Sequence, residues 1–265
     1  TGSGFDLPVV AAVLAAIGIV PAEALEKILI AGEIGLSGEV LEINGILPMV
    51  AEAKERGIFC CIIPEENQKE AELIHGIQIF AVNNITEMIH ILNGGAYTEK
   101  KTKEIERKEK QGVDFSDIQG QRFVKRACEV AVSGMHNLLM VGPPGAGKSM
   151  IASRIPGILP SMTEEESIEL SAIYSVIGKL PPNGSLIKER PFRAPHHTIT
   201  AKALCGGGTI PGPGEISLAH CGVLFLDELP EFHRETLEVL RQPLENGSMQ
   251  IHRCGYTYDF PAQFM

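Results

Sequence analysis

The sequence has no tryptophan, and aromatic residues make up only 5% of its 265 positions. So few aromatic side chains disfavour a β-sandwich and favour the aliphatic layers of an α/β protein. A long apolar run is also missing, because the longest one, Leu7–Val20, contains Pro8 and Gly18 and is too short to cross a bilayer. This run lacks the basic flank of a signal peptide as well. We therefore expect no membrane partner and a cytoplasmic location.

Paired cysteines and an excess of basic residues are absent too. None of the six cysteines lies in a C-x-x-C pair or at a spacing from histidine that predicts zinc, so reduced thiols are expected. The net charge of -10 disfavours a protein that coats nucleic acid, although a few basic loops could still contact a phosphate backbone. A hydrophobic content of 44% predicts a folded chain with a buried core.

Charge and periodicity divide the chain into two domains, at 1–95 and 113–265, with a charged linker at 96–112. The first domain has four basic and thirteen acidic residues, and the linker has six basic and four acidic ones. A mixed-charge linker is expected to be solvated or a short exposed helix, with nucleic-acid binding as the less expected alternative. The chain starts without methionine and ends within strand-like sequence, which predicts truncation at both ends.

Helical and strand periods alternate in the first domain. Helices are predicted at Leu7–Ile17, Pro48–Arg56, Glu66–Leu73 and Ile85–Leu92, and strands at Ile28–Leu36, Gly38–Ile43, Phe59–Ile63 and Gln78–Val82. Alternation of this kind predicts an α/β fold.

The second domain has the same alternation and ends in a hairpin. Helices are predicted at Ile118–Val132, Lys148–Ile155, Thr163–Val176 and Glu231–Leu244, strands at Asn137–Val141 and Gly222–Leu226, and a hairpin at Ser248–Arg253 and Tyr256–Pro261 around Cys254-Gly255. Thr163 with Glu166 three residues later forms a capping box.

A phosphate-binding loop of the form G-x-x-x-x-G-K-[ST] lies between a predicted strand and a predicted helix. Glycines let the loop backbone turn its N–H groups toward phosphate oxygens, and the start of the helix adds the positive end of its dipole. Lys148 is expected to reach the β- and γ-phosphates and to act in catalysis, and Ser149 to ligate magnesium. The candidate nucleotide-binding residues are Gly142, Pro143, Pro144, Gly145, Ala146, Gly147, Lys148, Ser149 and Met150.

Two acidic residues, Asp227 and Glu228, follow the predicted strand Gly222–Leu226. Ligands bind at the carboxyl edge of parallel α/β sheets, where these residues would lie. We expect Asp227 to hold magnesium, directly or through water, and Glu228 to polarise the water that attacks the γ-phosphate of ATP. An ordinary strand end with solvated acids is the alternative.

Several segments resemble known ATPases. Asp114–Gln121 and His136–Ser149 are similar to the start of an AAA+ module. Arg190–His197 and Pro213–His220, together with Gly222–Phe232, resemble the magnesium-chelatase-like ATPases of the YifB or ComM family. The resemblance covers nearly the whole chain. It implies a partial Lon-protease-like α/β domain followed by a P-loop AAA+ domain, a three-layer αβα fold around a central parallel sheet.

The Lon-like similarity lies in Leu36–Val40, Ile43–Gly45 and Ile63–Asn67. Lon proteases use a dyad in which a lysine of lowered pKa activates a serine. In this sequence Met49 or a neighbour stands where the lysine would be, although Ser3 remains near the serine segment. The resemblance therefore implies a Lon-like fold without proteolysis.

The resemblance also implies a homo-hexameric ring that couples ATP hydrolysis to remodelling. ComM-like members are similar to helicases that drive branch migration of DNA in recombination or transformation. On this basis Arg193, His196, His197 and Lys202 are candidate DNA contacts, as is the predicted hairpin, whereas a turn fixed by Pro195 or local packing is the alternative for the histidines. The family's sensor residue, arginine finger and lid would lie beyond this sequence, so negligible hydrolysis is expected from it alone.

Three other functions stay open. One is an assembly ATPase like the chelatase subunit that helps to insert magnesium into a porphyrin, and another is a nucleotide-gated scaffold. The third is an ATP-dependent protease, which the missing lysine disfavours. The Lon-like domain favours the DNA motor over the chelatase subunit, and DNA-stimulated ATPase activity would separate the motor from the chelatase subunit and the scaffold.

Overall fold

The computed structural model of this chain describes all but a few short segments. The described residues are 3–98, 114–181, 184–208, 211–253 and 255–265. Most of the predicted linker, the side chain of Ser3 and the turn residue Cys254 lie outside them. Within the described ranges, no helix has both the length and the apolar character that crossing a membrane requires.

The chain folds into two compact units. The first consists of residues 1–106 and 175–186, and the second of residues 107–174 and 187–265. This division differs from the predicted domains at residues 175–186, which pack in the first unit. There the backbone N–H of Gly45 donates to the carbonyl of Ser175 at 3.1 Å. The hydroxyl of Ser175 donates to the carboxylate of Glu70.

A three-stranded parallel sheet in the order β1-β4-β5 organises the first unit. The elements in chain order are α1 (Asp6–Ala16), β1 (Ile28–Ile30), β2 (Glu33–Ile34), β3 (Val40–Leu41), α2 (Ile46–Glu55), β4 (Cys60–Pro64), α3 (Gln68–Ala71), β5 (Gln78–Val82) and α4 (Ile85–Leu92). The central strand β4 is almost wholly buried, as the unbroken apolar run in its sequence predicts for a parallel sheet. The predicted α/β class is confirmed for this unit.

Helices α1 and α4 cover the sheet of the first unit. Leu7 of α1, Ile62 of β4, Val82 of β5 and Met88 of α4 share one buried cluster. Asn84 caps α4, since its side chain accepts the backbone N–H of Glu87 at 2.9 Å.

The single strand predicted at Ile28–Leu36 is wrong, because the chain breaks it at Gly32 into β1 and β2. The carbonyl of Gly32 accepts the N–H of Leu7, and its own N–H donates to Gly4, so its backbone groups join the start of α1 rather than a ladder. A Cβ at this position would lie 3.1 Å from Leu7 and 3.2 Å from Val40. Only glycine fits such a close approach without displacement of its neighbours.

The second unit is mixed α/β as well. Its elements in chain order are α5 (Arg122–Ser133), α6 (Lys148–Ala152), α7 (Glu164–Val176), β6 (Phe192–Arg193), α8 (Ala201–Cys205), α9 (Glu215–Leu218), β7 (Val223–Leu224), α10 (Arg234–Glu238), α11 (Arg241–Asn246), β8 (Ser248–Arg253) and β9 (Tyr256–Pro261). Strands β6 and β7 are parallel, and β8 and β9 form the predicted antiparallel hairpin. The predicted capping box before α7 also forms, with Thr163 and Glu166 bonded to each other's backbone N–H groups at 2.9 and 3.2 Å.

Strand β7 has a second neighbour in the last residues of the sequence. The N–H of Leu224 donates to the carbonyl of Met265 at 2.9 Å, and the N–H of Met265 donates to Gly222 at 3.0 Å. This alternation is the bonding pattern of parallel chains. β7 is therefore central, and one buried cluster packs Val223 and Met265 with Cys128 of α5 and Ile151 of α6.

Two elements predicted in the second unit are wrong. The described residues 137–141 form no strand: Leu138 and Met140 pack on the core, but Leu139 and Val141 are 72% and 89% exposed. A segment covered on one face only lacks the burial that its apolar sequence predicts.

The single helix predicted at Glu231–Leu244 is split into α10 and α11. Pro243 explains the split, because it has no N–H to donate to the carbonyl four residues earlier and so cannot continue a helix that arrives from α10. Pro243 instead occupies the first turn of α11, where proline is tolerated.

Candidate nucleotide-binding site

The parallel pairing of β6 and β7 brings two chain segments to one edge of the sheet. Phe192 lies opposite Val223, and Arg193 lies opposite Leu224. Because the strands run in the same direction, the residues that follow them emerge side by side at the carboxyl edge. One segment leads to His196 and His197, and the other to Asp227 and Glu228.

The predicted phosphate loop is a tight turn that ends in α6. Gly145 and Gly147 have φ angles of 79° and 83°, in the left-handed region that glycine adopts without strain. Helix α6 starts at Lys148 and is shorter than predicted, since Ile155 belongs to a following 3₁₀ turn. Its buried residues Ile151 and Ala152 anchor the end of the loop to the core.

Lys148 lies across its own loop. Its Nζ donates to the carbonyl oxygens of Gly142 at 2.9 Å and Pro143 at 3.1 Å. On the other side of the loop, Gln121 Nε2 donates to the carbonyl of Ala146 at 3.1 Å. The sequence predicted Gln121 as part of a family motif but gave it no role. Its backbone is left-handed (φ 49°).

The two residues predicted to hold magnesium are in contact. Ser149 Oγ donates to Asp227 Oδ2 at 2.9 Å, although 78 positions separate them in sequence. The other oxygen of this carboxylate, Oδ1, accepts the backbone N–H of Glu228 at 3.0 Å. A hydroxyl and a carboxylate, both open to solvent, thus face each other where the phosphate loop meets the end of β7.

A cavity of about 410 Å³ lies beside this contact, lined by Ser149, Asp227, Glu228 and the two histidines among other residues. The rings of His196 and His197 have centroids 4.0 Å apart, and their planes are tilted by 35°. His197 Nδ1 lies 3.3 Å from Glu228 Oε2. The histidines proposed from the sequence as DNA contacts or turn residues therefore lie at the candidate nucleotide site.

Comparison with known proteins agrees with this geometry. A family model described as magnesium chelatase, subunit ChlI, matches residues 114–265, and a second, described as subunit ChlI of Mg-chelatase, matches residues 1–67. The chain belongs to the magnesium chelatase ChlI family. Within it, the chain is a member of the magnesium-chelatase-like AAA+ group that includes ComM and YifB.

The relatives of this ChlI-family chain include two long matches. It is 42% identical over 270 residues to the competence protein ComM of Haemophilus influenzae, and 41% identical over 265 residues to the protein YifB of Escherichia coli. Each match covers 99% of this chain and 52% of the relative. The chain thus spans about half the length of the curated relatives it matches.

A shorter match supports the Lon-like region. The chain is 33% identical over 106 residues to Lon protease 2 of Bacillus subtilis, covering 40% of this chain and 19% of that protein. In the segment that resembles the Lon lysine region, Leu47 is fully buried and Met49 is 38% exposed, both on α2.

Arg193, in one of the ChlI-family motifs, is paired with a carboxylate of the same unit. Its guanidinium donates to both carboxylate oxygens of Glu215, at 2.6 and 2.7 Å. These bonds raise the pKa of Arg193 above its ordinary value. The bidentate pair gives Arg193 a structural role beside its predicted role as a nucleic-acid contact. Lys202 on α8 is exposed, and both residues stay predictions as DNA contacts. Glu215 was missed as a partner, although it lies in the second family motif.

Arg190 of the same motif stabilises the start of β7 through three hydrogen bonds. It donates to the carbonyl of Cys221 at 2.7 Å, to Pro160 at 2.6 Å and to the carboxylate of Glu166 at 3.0 Å. Burial raises the pKa of the Cys221 thiol to about 12. The thiol therefore stays protonated and acts as a small apolar group.

His220, which lies just before β7 in sequence, contacts the last residues of the sequence and α7. Its Nδ1 accepts the backbone N–H of Gln263 at 3.1 Å, so Nε2 carries the proton that faces Glu169 Oε2 at 3.1 Å. Burial lowers the pKa of His220, which keeps its ring neutral. The family motifs around Arg190, Arg193 and His220 are thus explained by the scaffold that holds the two acidic residues.

Met150, the last residue of the candidate nucleotide site, contributes its backbone to α6. Its carbonyl accepts the hydroxyl of Ser153 at 3.0 Å and Nη1 of Arg154 at 3.1 Å. The side chain of Met150 is 41% exposed.

Proposed function

We propose that this chain binds ATP with magnesium and hydrolyses it, as part of an AAA+ motor of the ComM/YifB type. The observation that carries the proposal is the contact between Ser149 and Asp227, with Glu228 next to it and the loop of Lys148 adjoining. A glycine-rich loop with a lysine, a hydroxyl and two carboxylates at one sheet edge is the donor set that phosphoryl transfer from a nucleotide requires.

The residues present fit a bound triphosphate. The positive φ angles of Gly145 and Gly147 suit a loop that turns backbone N–H groups toward an anion. The ammonium of Lys148 has loop carbonyls as acceptors, which phosphate oxygens can replace with stronger charge-assisted bonds. We assign the phosphates to Gly142, Pro143, Pro144, Gly145, Ala146, Gly147, Lys148, Ser149 and Met150.

Ser149 and Asp227 would hold the magnesium ion, since a hydroxyl and a carboxylate are oxygen ligands that this ion prefers. The ion, when bound, supplies positive charge that offsets the negative charge developing on the phosphates. Glu228 would orient and polarise the attacking water, and its exposed side chain can accept a water proton. Lys148 would stabilise charge at the oxygens of the β- and γ-phosphates.

We extend the proposal to DNA remodelling by a homo-hexamer in the cytoplasm. Support comes from the competence protein ComM as a relative, and from Lys202, which is exposed and so free to meet a phosphate backbone. The alternative, a chelatase-like ATPase subunit or assembly factor without a DNA motor, is supported by the description of the matching family, magnesium chelatase subunit ChlI. We expect no proteolysis in either case.

ATP turnover by the full-length protein, measured with and without branched DNA, tests the proposal. A DNA motor should hydrolyse ATP faster with branched DNA than with an unbranched duplex of the same length. Lys148→Ala should abolish both rates and nucleotide binding, because it removes the ammonium that lies at the loop. An ATP hydrolysis rate that is the same with and without DNA would favour the chelatase-like alternative. Absence of any ATP binding would contradict the proposed ATPase activity itself.

A further inference from the structure

Gln121 connects the phosphate loop to the start of α5. Its amide Nε2 donates to the carbonyl of Ala146 at 3.1 Å, although 25 positions separate the two residues in sequence. Its own carbonyl accepts the backbone N–H of Lys125 at 3.0 Å. Its backbone has a φ of 49°, a left-handed conformation that is strained for a residue other than glycine or asparagine. Strain of this kind persists only where surrounding contacts fix the residue, and it concentrates at functional sites.

The segment that carries Gln121 is itself anchored beside α6. Ile118 is buried in the same cluster as Ile151 of α6. Arg154, which follows α6, donates from Nε to Asp117 Oδ2 at 3.3 Å, and only 16% of the arginine side chain is exposed. The amide of Gln121 is therefore presented to the loop from a fixed position.

The bond from Gln121 fixes the peptide between Ala146 and Gly147. This peptide is trans, so its carbonyl and its N–H point in opposite directions within one plane. Because the carbonyl is bonded to Gln121, the N–H of Gly147 points away from Gln121. Glycine at 147 allows this peptide many orientations, and one bonded partner selects among them. An N–H that is held in one direction is preorganised to meet a phosphate oxygen.

We infer that Gln121 is a positioning residue for phosphate binding: its amide holds the Ala146–Gly147 peptide so that the N–H of Gly147 faces a phosphate of the nucleotide. This inference rests on the proposed ATPase function and concerns binding of the nucleotide rather than its hydrolysis. A purely structural Gln121 would stabilise the start of α5 and leave the nucleotide affinity of the folded protein unchanged. Affinity and stability thus separate the two roles.

The test uses two variants of the full-length protein that remove the contact in different ways. Gln121→Met keeps the length of the side chain but has no N–H donor, and Gln121→Asn keeps the amide but is one methylene shorter. Asparagine tolerates a left-handed backbone better than glutamine does, so Gln121→Asn should be at least as stable as the wild type. Both variants should bind ADP and ATP roughly 3–10-fold more weakly in calorimetric titrations, the effect of one lost hydrogen bond.

Steady-state kinetics separate this loss from partial unfolding. Both variants should raise KM for ATP by a similar factor and leave kcat within about twofold of the wild type, since the contact acts equally on bound ATP and on the transition state. Partial unfolding would instead lower kcat in proportion to the folded protein that is lost and leave KM unchanged. Gln78→Met, at an exposed glutamine of the first unit, is the control for the substitution itself.

Wild-type affinity for ADP and ATP in Gln121→Met, or a lower kcat with unchanged KM, would overturn the inference while the ATPase stands. A wild-type protein that binds neither ADP nor ATP would instead overturn the proposed function and this role with it.

Discussion

At the residue scale, the proposed function assigns ATP binding and ATP hydrolysis to different side chains of the candidate site. The ammonium of Lys148 is bonded to its own loop, whereas the carboxylate of Glu228 lies 3.3 Å from His197 Nδ1. The proposed function assigns phosphate recognition to the first side chain and activation of water to the second. Substitutions at the two positions should differ in which kinetic constant they change.

Glu228→Gln keeps the size of the side chain but removes its basic oxygen. We expect kcat of the full-length protein to fall roughly 10²–10⁴-fold, the usual contribution of a general base. ATP affinity should stay within about twofold, since the phosphate-binding groups remain. Fluorescent-nucleotide titration and phosphate release measure the two quantities. Glu231→Gln, at a nearby exposed glutamate, is the matched control, and an equal loss in both variants would contradict the assignment.

His220 should make the second unit sensitive to acid. Burial lowers its pKa in the folded state, against the partly opposing effect of Glu169 and Glu166. The unfolded chain has a histidine pKa of about 6.5. As the pH falls below that value, the unfolded state binds a proton that the folded state does not, so the free energy of unfolding falls.

Urea unfolding at a pH of about 7.5 and about 5.5 measures this loss, which is at most about 1.4 kcal/mol per pH unit for one group. His220→Gln should be less stable than the wild type at the higher pH but should lose less on acidification. An identical acid-induced loss in the variant would show that other groups cause it.

At the scale of secondary structure, the paired strands β6 and β7 depend on the bond between Arg193 and Glu215. Arg193→Ala leaves a half-buried carboxylate without its partner, and we expect the second unit to lose about 1–3 kcal/mol of stability. Arg193→Lys should lose less, since a lysine keeps the charge but not the bidentate geometry. Chemical unfolding followed by a probe in this unit gives both values.

Salt-dependent DNA binding distinguishes residues that stabilise the fold from residues that contact DNA. In full-length protein, Lys202→Ala should reduce the salt dependence of DNA binding by about one phosphate contact, whereas Arg193→Ala should leave that slope unchanged if the pair with Glu215 is its only role. A reduced slope in Arg193→Ala with unaltered stability would confirm Arg193 as a DNA contact as well.

The local sequence pattern predicted helices, strands and turns correctly where a single sequence signal was strong. The hairpin of β8 and β9 and the capping box at Thr163 lie where the sequence places them. The contact of Ser149 with Asp227 was expected because both motifs end at the same sheet edge. The pairing of His197 with Glu228 was not, since it depends on the register between β6 and β7, which no local pattern contains. Pro243 did carry a signal for the broken helix, and the apolar period around it masked that signal.

At the scale of the whole molecule, residues 175–186 belong to the first unit although Ser175 and Val176 are the last residues of α7. Contacts distant in sequence decide this, among them the bond between Ser175 and Glu70, so periodicity alone could not predict it. The unit to which a segment packs should determine when it opens, because proteins unfold in cooperative blocks.

Ile62→Ala tests that assignment, since Ile62 is fully buried in the first unit and its truncation should cost about 2–5 kcal/mol. Hydrogen exchange should then become faster in residues 175–181 as well as in β4 and β5, while exchange in β7 stays as in the wild type. Ile151→Ala, in the core of the second unit, should produce the reverse pattern. Exchange at 175–181 that follows Ile151→Ala instead would contradict the division.

The ladder between β6 and β7 fixes His197 and Glu228 by a count of residues from Arg193 and Leu224. The long connection between the two strands does not enter that count. Insertions there should be tolerated as long as Glu215 still reaches Arg193, whereas deletion of one residue between Arg193 and His197 would turn the imidazole away from its carboxylate. This part of the chain therefore has room to acquire new recognition loops while its chemistry stays in register.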